Sequence, residues 1–361
     1  MKLQFDLAES SQKDSPLCNS AYIKQEHRLP SDDHVFPVAW YAVGFQNELK
    51  RKPLKKRLVG RDLVLYRDAR GDAQCVTAYC AHRGADLSLG HCTAKGIVCA
   101  YHGWVFNEQG DCVDIPAHPN RPIPDFAKVT AYPVIERGGL IWVYPQAKRE
   151  ARPAPLPVFE ELENPRFTLA PYEQTWSAHL TRVIESVLDV AHLAFVHKKT
   201  IGRTLKPEIA DLQFDVSERD TITIVNGGGT LEYRFPQQWL LRPTQEGKNA
   251  FINYVTFTPI DTNQTAIYGY AGRTFARKIP MVNTVFSRYS QKILREDQAV
   301  VESQHPRPIP EALRMEAHVP ADAPQVRFRN RWYAFLTSSE PKIILDGARG
   351  TPDDQAANTF P

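Results

Sequence analysis

Two closely spaced pairs of cysteine and histidine constrain the fold of this chain more than any other feature. One residue separates Cys80 from His82, and two residues separate Cys99 from His102. Sixteen residues lie between the two pairs, which is enough for one segment to bring both pairs to a common centre. Two Cys and two His suit either a tetrahedral zinc ion or a [2Fe-2S] cluster in which two His replace two Cys on one iron.

The order of the donors favours the cluster. Zinc fingers of this composition place both cysteines before both histidines, whereas here each loop supplies one Cys and one His. One iron can then take both thiolates and the other both imidazoles. A zinc ribbon is the alternative. His91 and Cys92 would break the paired spacing and are predicted to lie on the surface, and Cys75 and Cys112 are predicted to be small buried side chains.

The chain around these pairs predicts two domains, for which 361 residues of 42% apolar composition suffice. Short β-rich runs such as DLVLYRD and GGLIWVYP, separated by turns, predict a small all-β domain at residues 35–147. Residues 1–34 are polar and aperiodic, which predicts a loosely ordered arm. The proline-rich run KREARPAPLPVFEEL predicts a linker that opens a second domain at residues 148–345, and residues 346–361 are predicted to be a tail.

The second domain is predicted to be α+β, with an antiparallel sheet and at least two helices. Runs such as TLEYRF, AFINYVTFTP and TAIYGYAGRTF predict strands in hairpins. One helical stretch begins near His179, and its apolar residues recur at helical spacing. A second helical stretch is TVFSRYSQKILREDQAVVESQ.

Polar residues interrupt the apolar pattern of the first helical stretch. Asp189 and His192 are three residues apart, so they are neighbours on one helix face. His197 lies five residues beyond His192, about 140° further round an ideal helix. The two imidazoles can share a metal only if the helix ends or distorts between them, and we predict that break within Leu193–Val196.

The second helical stretch supplies a carboxylate. Its apolar stripe steps by three or four residues and includes Asp297. A lone buried carboxylate is costly unless it is paired, protonated or bound to a metal. Asp297 is therefore predicted to join His192 and His197 in a facial triad, which leaves positions open for dioxygen on non-haem Fe(II). Glu296 falls further from the stripe and is the weaker candidate.

The Cys-x-His and Cys-x-x-His pairs, with Arg83-Gly84 and Gly103-Trp104 adjoining, resemble those of the Rieske iron–sulfur family. Rieske proteins of respiratory and photosynthetic complexes usually carry an extra cysteine in each loop, where this chain has Ala85 and Tyr101. The chain is therefore similar to the oxygenase branch. With the Asp-x-x-His-x4-His pattern that starts at Asp189, it resembles the catalytic α subunit of Rieske non-haem iron oxygenases over nearly its whole length past the arm.

This resemblance implies a Rieske domain followed by a helix-grip domain, in which an antiparallel sheet curls round a long helix. The residues that match cluster ligands are Cys80, His82, Cys99 and His102, and those that match iron ligands are His192, His197 and Asp297. The resemblance also implies that Asp189 bridges His192 and His102, usually across an interface of a head-to-tail homotrimer. Many members have an asparagine upstream of that aspartate, where this chain has Glu185-Ser186.

The implied reaction uses dioxygen and external electrons to hydroxylate, or oxidatively demethylate, a hydrophobic or aromatic small molecule. Ring cis-dihydroxylation is the alternative. The rivals from other classes are an electron-transfer Rieske protein without oxygenase activity and a zinc-binding interaction module. The sequence has no Gly-rich dinucleotide fingerprint, so NAD(P)H would be used only indirectly, through a flavin reductase or a ferredoxin. The closing region resembles single-subunit-type oxygenases, which favours mono-oxygenation.

Composition adds little about partners. A formal net charge of +3 gives no reason to expect nucleic acid or an anionic membrane. No apolar run is long enough to span a bilayer and the N-terminus is polar, so we expect a cytoplasmic protein without a membrane span.

Two further features bear on function. The basic run ELKRKPLKKR is either a docking surface for an acidic ferredoxin or a solvated turn between strands. The aromatic residues of the predicted sheet are either walls of a substrate pocket, which would favour an apolar substrate, or ordinary members of the sheet core. These residues are Phe251, Tyr254, Phe257, Tyr268 and Tyr270.

Overall fold

The computed structural model describes residues 34–345 except 209–212, 216–217, 227, 246 and 248. The predicted arm, apart from its last residue, and the predicted C-terminal tail lie outside the described residues. Within the described part of the chain, no helix combines the length and the apolar character needed to cross a membrane.

The first part of the chain consists of short strands in antiparallel pairs. The strands are β1 (Val35–Pro37), β2 (Tyr41–Phe45), β3 (Leu54–Leu58), β4 (Arg61–Arg67), β5 (Ala73–Thr77), β6 (His91–Thr93), β7 (Gly96–Val98), β8 (Val105–Phe106), β9 (Cys112–Asp114), β10 (Ala131–Tyr132), β11 (Val134–Arg137) and β12 (Leu140–Val143). Three small sheets result, with the strand orders β10-β5-β4-β3, β11-β12-β2 and β6-β7-β8-β9.

Strand β4 illustrates how the sequence builds this region. Leu63 and Leu65 lie in a core shared with the rest of the chain, whereas Val64 and Tyr66 lie in a second core beneath the Cys/His loops. Successive side chains of a strand point to opposite faces, so this uninterrupted apolar run suits a strand that is buried on both faces. The two Cys/His loops follow β5 and β7 and sit over the second core.

The described residues of the second region form one large sheet and four α-helices. The strands are β13 (Thr168–Trp176), β14 (Gln213–Asp215), β15 (Thr221–Asn226), β16 (Gly229–Arg234), β17 (Gln238–Pro243), β18 (Phe251–Pro259), β19 (Thr265–Arg273) and β20 (Lys342–Ile344), and the helices are α1 (Leu180–Leu188), α2 (Leu193–Val196), α3 (Pro280–Val301) and α4 (Ala323–Thr337). Strands β13 to β19 form one antiparallel sheet in the order β13-β19-β18-β17-β16-β15-β14. Helix α3 packs along β13, and α1 contacts β18, α3 and α4. The predicted class, an all-β region followed by an antiparallel sheet with helices, is confirmed.

Helix α4 was not predicted from the sequence. Its sequence is rich in arginine, which weakens the apolar pattern of a buried helix. In the fold, Phe328 and Trp332 are buried together with Arg329 and Arg331. The arginines are paired with carboxylates, so their burial is compatible with a helix that packs on two sides.

The main core joins the two regions of the chain. Tyr41 and Val43 of β2 belong to the same apolar cluster as Trp176 and Trp332, and β1 pairs with β20 near the far end of the chain. Part of the sheet packs on the first region through a separate cluster that includes Trp40.

This packing bears on the aromatic residues that were candidates for either a pocket or the sheet core. Tyr254, Tyr268 and Tyr270 belong to the cluster with Trp40, and Phe257 lies in the main core. Phe251 is 37% exposed, whereas the other four side chains are buried in these clusters, as members of the sheet core are. Their faces of the sheet are covered by other parts of the same chain.

Candidate metal centres

The two Cys/His loops share one backbone turn. The Cys80 carbonyl accepts a hydrogen bond from the Gly84 N–H at 2.9 Å, and the Cys99 carbonyl accepts one from the Gly103 N–H at 3.0 Å. The two glycines have φ values of +67° and +73°, a conformation that residues with a side chain rarely adopt. A glycine four residues after each cysteine therefore fixes the turn that presents cysteine and histidine together.

The donors of these loops are arranged in like pairs. The Cys80 and Cys99 side chains are buried and interact directly, and burial together with the neighbouring Cys99 raises the pKa of the Cys80 thiol to about 12. The His82 and His102 rings lie 4.5 Å apart. Among the described residues, the buried His82 Nδ1 has no hydrogen-bond partner, so this nitrogen is free to bind a metal.

This arrangement fits a [2Fe-2S] cluster better than a zinc ion. Zinc requires four donors round one point. Within the described residues, the group of metal-type donors that converges on one point lies elsewhere, at His192, His197 and Asp297. A cluster takes both thiolates on one iron and both imidazoles on the other, which matches two separate pairs.

Aromatic rings cover the histidine pair. The Trp104 ring stacks on His82 with a centroid distance of 4.6 Å and an interplanar angle of 2°. Tyr101 contacts His102 at 3.8 Å and is 63% exposed. These contacts are not predictable from the spacing of the Cys/His pairs, although both aromatic residues adjoin the second pair. Where Rieske proteins of respiratory and photosynthetic complexes usually have an extra cysteine in this loop, the chain therefore has Tyr101, whose ring is exposed.

The structure places the helix break before His192. Helix α1 ends at Leu188, and Asp189 is extended, with φ −79° and ψ 130°. The Asp189 carboxylate accepts a hydrogen bond from the Ala191 N–H at 2.6 Å, a local contact that favours a turn over a continued helix. The predicted break at Leu193–Val196 is wrong, because these residues form the single turn of α2.

The short helix α2 brings both imidazoles to one point. His192 precedes it and His197 follows it, and their Nε2 atoms lie 3.3 Å apart. The Asp297 Oδ1 atom lies 3.4 Å from His192 Nε2 and 3.0 Å from His197 Nε2. The structure therefore brings together the three predicted iron ligands. Glu296 is outside this converging group.

The charges of the triad suit a divalent cation. Burial lowers the pKa of His192, but hydrogen bonds with Asp189 and Asp297 outweigh it and raise the pKa to about 9. Burial raises the pKa of Asp297, and the two histidines bring it below its usual range. The carboxylate thus favours positive charge on the imidazoles, and a metal ion would supply that charge in place of a proton.

A second carboxylate accompanies each histidine. The Asp189 Oδ2 atom lies 3.6 Å from His192 Nδ1, and the Glu296 Oε2 atom lies 2.9 Å from His197 Nδ1. Both Nε2 atoms are thereby left to face Asp297. Sequence reasoning identified Asp189 for this position and did not identify Glu296 for it.

A cavity of about 480 Å³ adjoins the triad and is lined by Asp189, His192 and Asp297 among others. Four further lining residues form a largely buried ion-pair network: Arg182, Glu185, Glu316 and Arg329. The Glu185 carboxylate lies 3.1 Å from Arg182 Nη1 and also pairs with Arg329. Glu316 lies 2.7 Å from Arg182 Nη2 and 2.6 Å from Arg329 Nη2. The cavity is therefore polar, and Glu185 ties α1 to α4.

Two family models match the chain. The Rieske [2Fe-2S] domain matches residues 39–133, which contain both Cys/His loops. The vanillate O-demethylase oxygenase C-terminal domain matches residues 176–230 and 225–337, which contain the triad. The two regions that carry the candidate centres thus correspond to two known domains.

Curated relatives are named as oxygenase components. The chain is 36% identical to the putative toluene-4-sulfonate monooxygenase system iron-sulfur subunit TsaM2 of Comamonas testosteroni, over 50% of this chain and 51% of that protein. It is 28% identical to the 4beta-methylsterol monooxygenase of Methylococcus capsulatus, over 86% of this chain and 92% of that protein. With TsaM2 and some other relatives, the chain spans about half the length of the relative.

A solved structure matches both regions together. The structure of NdmA from Pseudomonas putida CBB5 is 25% identical, with a TM-score of 0.71, over 87% of this chain and 98% of that chain. A curated relative of the same name is a methylxanthine N1-demethylase of Pseudomonas putida. The Rieske [2Fe-2S] domain model and the oxygenase C-terminal domain model match successive parts of this chain. The chain therefore belongs to the Rieske non-haem iron oxygenase family.

Proposed function

We propose that this protein is the terminal oxygenase component of a Rieske system. It uses dioxygen and external electrons to hydroxylate, or oxidatively demethylate, a hydrophobic or aromatic small molecule. The observation that carries this proposal is the convergence of His192, His197 and Asp297, because a Rieske electron carrier needs no second metal site. Relatives named as monooxygenases and as a demethylase support mono-oxygenation.

The proposed ligands divide the chemistry between two centres. Cys80 and Cys99 would hold one iron of the cluster, and His82 and His102 the other. His192, His197 and Asp297 would hold Fe(II), which supplies open coordination positions for binding and reducing dioxygen. The protein's own contribution is to keep both Nε2 atoms and one carboxylate oxygen directed at a single point, with His197 buried and Asp297 at the edge of the cavity.

Asp189 is proposed to couple the two centres. Its carboxylate faces His192 Nδ1 and lines the cavity. A carboxylate that accepts hydrogen bonds from two imidazoles orients both rings and can hold a proton when their charge changes. In the described part of the chain, His102 contacts His82 and Tyr101 and makes no described contact with Asp189. The second imidazole would therefore come from His102 of another copy, as in a head-to-tail homotrimer.

The cavity has the chemistry to receive such a copy. Four of the residues that line it each have one buried side-chain atom without a hydrogen-bond partner among the described residues: Gln304 Oε1, His318 Nε2, Gln325 Oε1 and Arg329 Nη1. A buried polar group without a partner costs about 1–3 kcal/mol, so this cavity favours a hydrogen-bonding occupant. The exposed second Cys/His loop offers backbone N–H and carbonyl groups and the exposed Tyr101 ring.

Sedimentation of the purified protein tests this assembly. We expect a trimer, weakened in a Tyr101→Asp variant that keeps its cluster absorbance. A monomer that retains full oxygenase activity would contradict the homotrimer.

Electrons would come from a ferredoxin, a flavin reductase or both, with NAD(P)H used only through that partner. The basic run lies partly in an exposed turn, Lys50 to Lys52, and partly in β3. Lys55 and Lys56 are paired with Asp86 and Glu48. We therefore restrict the proposed docking surface to Lys50, Arg51 and Lys52.

The cytoplasmic location expected from the sequence stays a prediction.

The activity is tested with a surrogate reductase and a substrate panel of methoxyarenes, N-methylated heterocycles, arene sulfonates and sterols. Reactions under heavy-isotope dioxygen are analysed by mass spectrometry. One incorporated oxygen atom, or loss of a methyl group as formaldehyde, supports the proposal, whereas two atoms in a cis-diol would favour ring dihydroxylation.

The rival classes are separated by metal content. An electron-transfer Rieske protein would contain only the cluster iron, and a zinc-binding module would lack acid-labile sulfide. Iron in excess of the cluster, lost in a His192→Ala variant, excludes both.

A further inference from the structure

Glu296 adjoins the proposed iron ligand Asp297 but faces a different partner. Its Oε2 atom lies 2.9 Å from His197 Nδ1, and the Thr200 hydroxyl donates to the same oxygen at 2.5 Å. His197 is only 1% exposed, so water has little access to replace this acceptor. The other ring nitrogen, Nε2, faces the converging point of the triad at 3.0 Å from Asp297 Oδ1.

We propose that Glu296 is a positioning residue for the mononuclear metal. It holds the proton of His197 on Nδ1 and so directs the lone pair of Nε2 to the metal. The inference rests on the proposed function, in which His197 is a metal ligand. A metal-bound imidazole almost always donates its other N–H to an oxygen acceptor, which fixes its tautomer and ring orientation.

Helix α3 supplies both carboxylates for one imidazole. Neighbouring residues of an α-helix point about 100° apart, so Asp297 reaches the Nε2 side of the ring while Glu296 reaches the Nδ1 side. The end of α2 makes this possible. His197 ends that turn, and the Thr200 N–H donates to the His197 carbonyl at 2.8 Å, which brings the Thr200 side chain to Glu296.

Glu296 differs from Asp189 in what it can reach. Asp189 lines the cavity, whereas Glu296, Thr200 and His197 are not among the described residues that line it. A substrate or a second copy that enters the cavity would therefore meet Asp189 and not Glu296. We expect Glu296 to affect retention of the metal and not transfer between the centres.

The test is a Co(II) titration of the full chain after mild chelation has removed the mononuclear metal and left the cluster. Glu296→Ala removes the acceptor, and Glu296→Gln keeps an acceptor oxygen without the charge. Glu302→Ala is the matched control, because Glu302 lies just beyond α3 and accepts from the Ser177 N–H at 2.7 Å, outside the site. Exchange of the paramagnetically shifted His197 Nδ1–H with solvent is measured by NMR.

We expect Glu296→Ala to weaken Co(II) binding about 10–100-fold and to speed N–H exchange. Glu296→Gln should recover part of the affinity, and Glu302→Ala should bind like the wild type. Wild-type affinity and exchange in Glu296→Ala would overturn the proposal, as would an equal loss in Glu302→Ala.

Two outcomes keep the inference separate from the function on which it rests. A wild-type protein that binds no Co(II), or a His197→Ala variant that binds it normally, contradicts the proposed metal site itself. If Glu296→Ala does not fold, Thr200→Val decides, because it replaces with a methyl group the hydroxyl that donates to Glu296 at 2.5 Å and, over a longer 3.3 Å, to the His197 carbonyl. A few-fold loss of affinity supports the proposal, and unchanged affinity overturns it.

Discussion

The two candidate centres are built in opposite ways. At the Cys/His loops, the backbone determines the geometry through two matching glycine turns, and His102 and Tyr101 are exposed. At the triad, side chains determine the geometry, because Asp189 and Glu296 each face the outer nitrogen of one histidine. The first centre is therefore accessible from outside, whereas the second depends on buried charge. Each centre should therefore be removable without loss of the other.

The strongest test of that independence is His192→Ala. Loss of a metal that contributes several kcal/mol to catalysis should lower kcat/KM by about 10³-fold or more. Iron should fall by about one atom per chain, while acid-labile sulfide and the paramagnetic signal of the reduced cluster stay unchanged. Loss of sulfide together with the iron would show that the two centres are coupled in folding.

The converse variant is Cys99→Ser. It removes one thiolate of the buried pair, so we expect loss of the cluster absorbance and of electron delivery, with activity at background level. The triad should still bind Co(II) as in the wild type, because no ligand of the triad lies in the Cys/His loops. A parallel loss of Co(II) binding would contradict separate centres.

A smaller effect is expected from the ion-pair network behind the triad. Glu185→Gln leaves the buried Arg182 and Arg329 short of a carboxylate, which should lower the free energy of unfolding by about 3–5 kcal/mol. Urea denaturation followed by circular dichroism measures the loss. Glu311→Gln is the control, because Glu311 is exposed. Equal stability of both variants would contradict the assigned structural contribution of Glu185.

The same network gives a pH-dependent prediction at Glu316. Burial raises the pKa of its carboxyl, but hydrogen bonds from Arg182 and Arg329 outweigh that effect and lower it below its usual range. A lowered pKa stabilises the fold above the unfolded value of about 4.3, and this stability is lost as pH falls through the lower folded value. Glu316→Gln should therefore cost about 1–3 kcal/mol at pH 7 and progressively less below about pH 4.3. A cost that does not change with pH would contradict the ion pairs.

The sequence predicts the metal-binding side chains best where their spacing along a helix or loop indicates which of them lie together. Asp297 was singled out because it lies in an apolar stripe, and in the fold its carboxylate faces both Nε2 atoms. The spacing predicts the helix break within Leu193–Val196, whereas in the fold it lies before His192. The true position depends on the hydrogen bond from the Ala191 N–H to Asp189, which spacing does not reveal. Glu296 was seen only as a weaker ligand, since its partners His197 and Thr200 are distant along the chain. For Tyr254 and Tyr268 the sequence leaves pocket wall and sheet core open, because sequence alone does not reveal which face of a sheet another region covers; in the fold both pack in the cluster with Trp40.

The smallest expected effect concerns the approach of the electron donor to the exposed centre. Lys50 and Lys52 are exposed, and neither takes part in a described ion pair, so they are free to attract an acidic ferredoxin. The double reversal Lys50→Glu, Lys52→Glu should raise the KM for ferredoxin by about threefold to tenfold and reduce its dependence on salt. The control Lys278→Glu reverses an exposed charge in the second region and should leave both unchanged. If the double variant also keeps wild-type kinetics at low salt, the donor docks elsewhere, and the exposed aromatic side of the Cys/His loops becomes the surface to test.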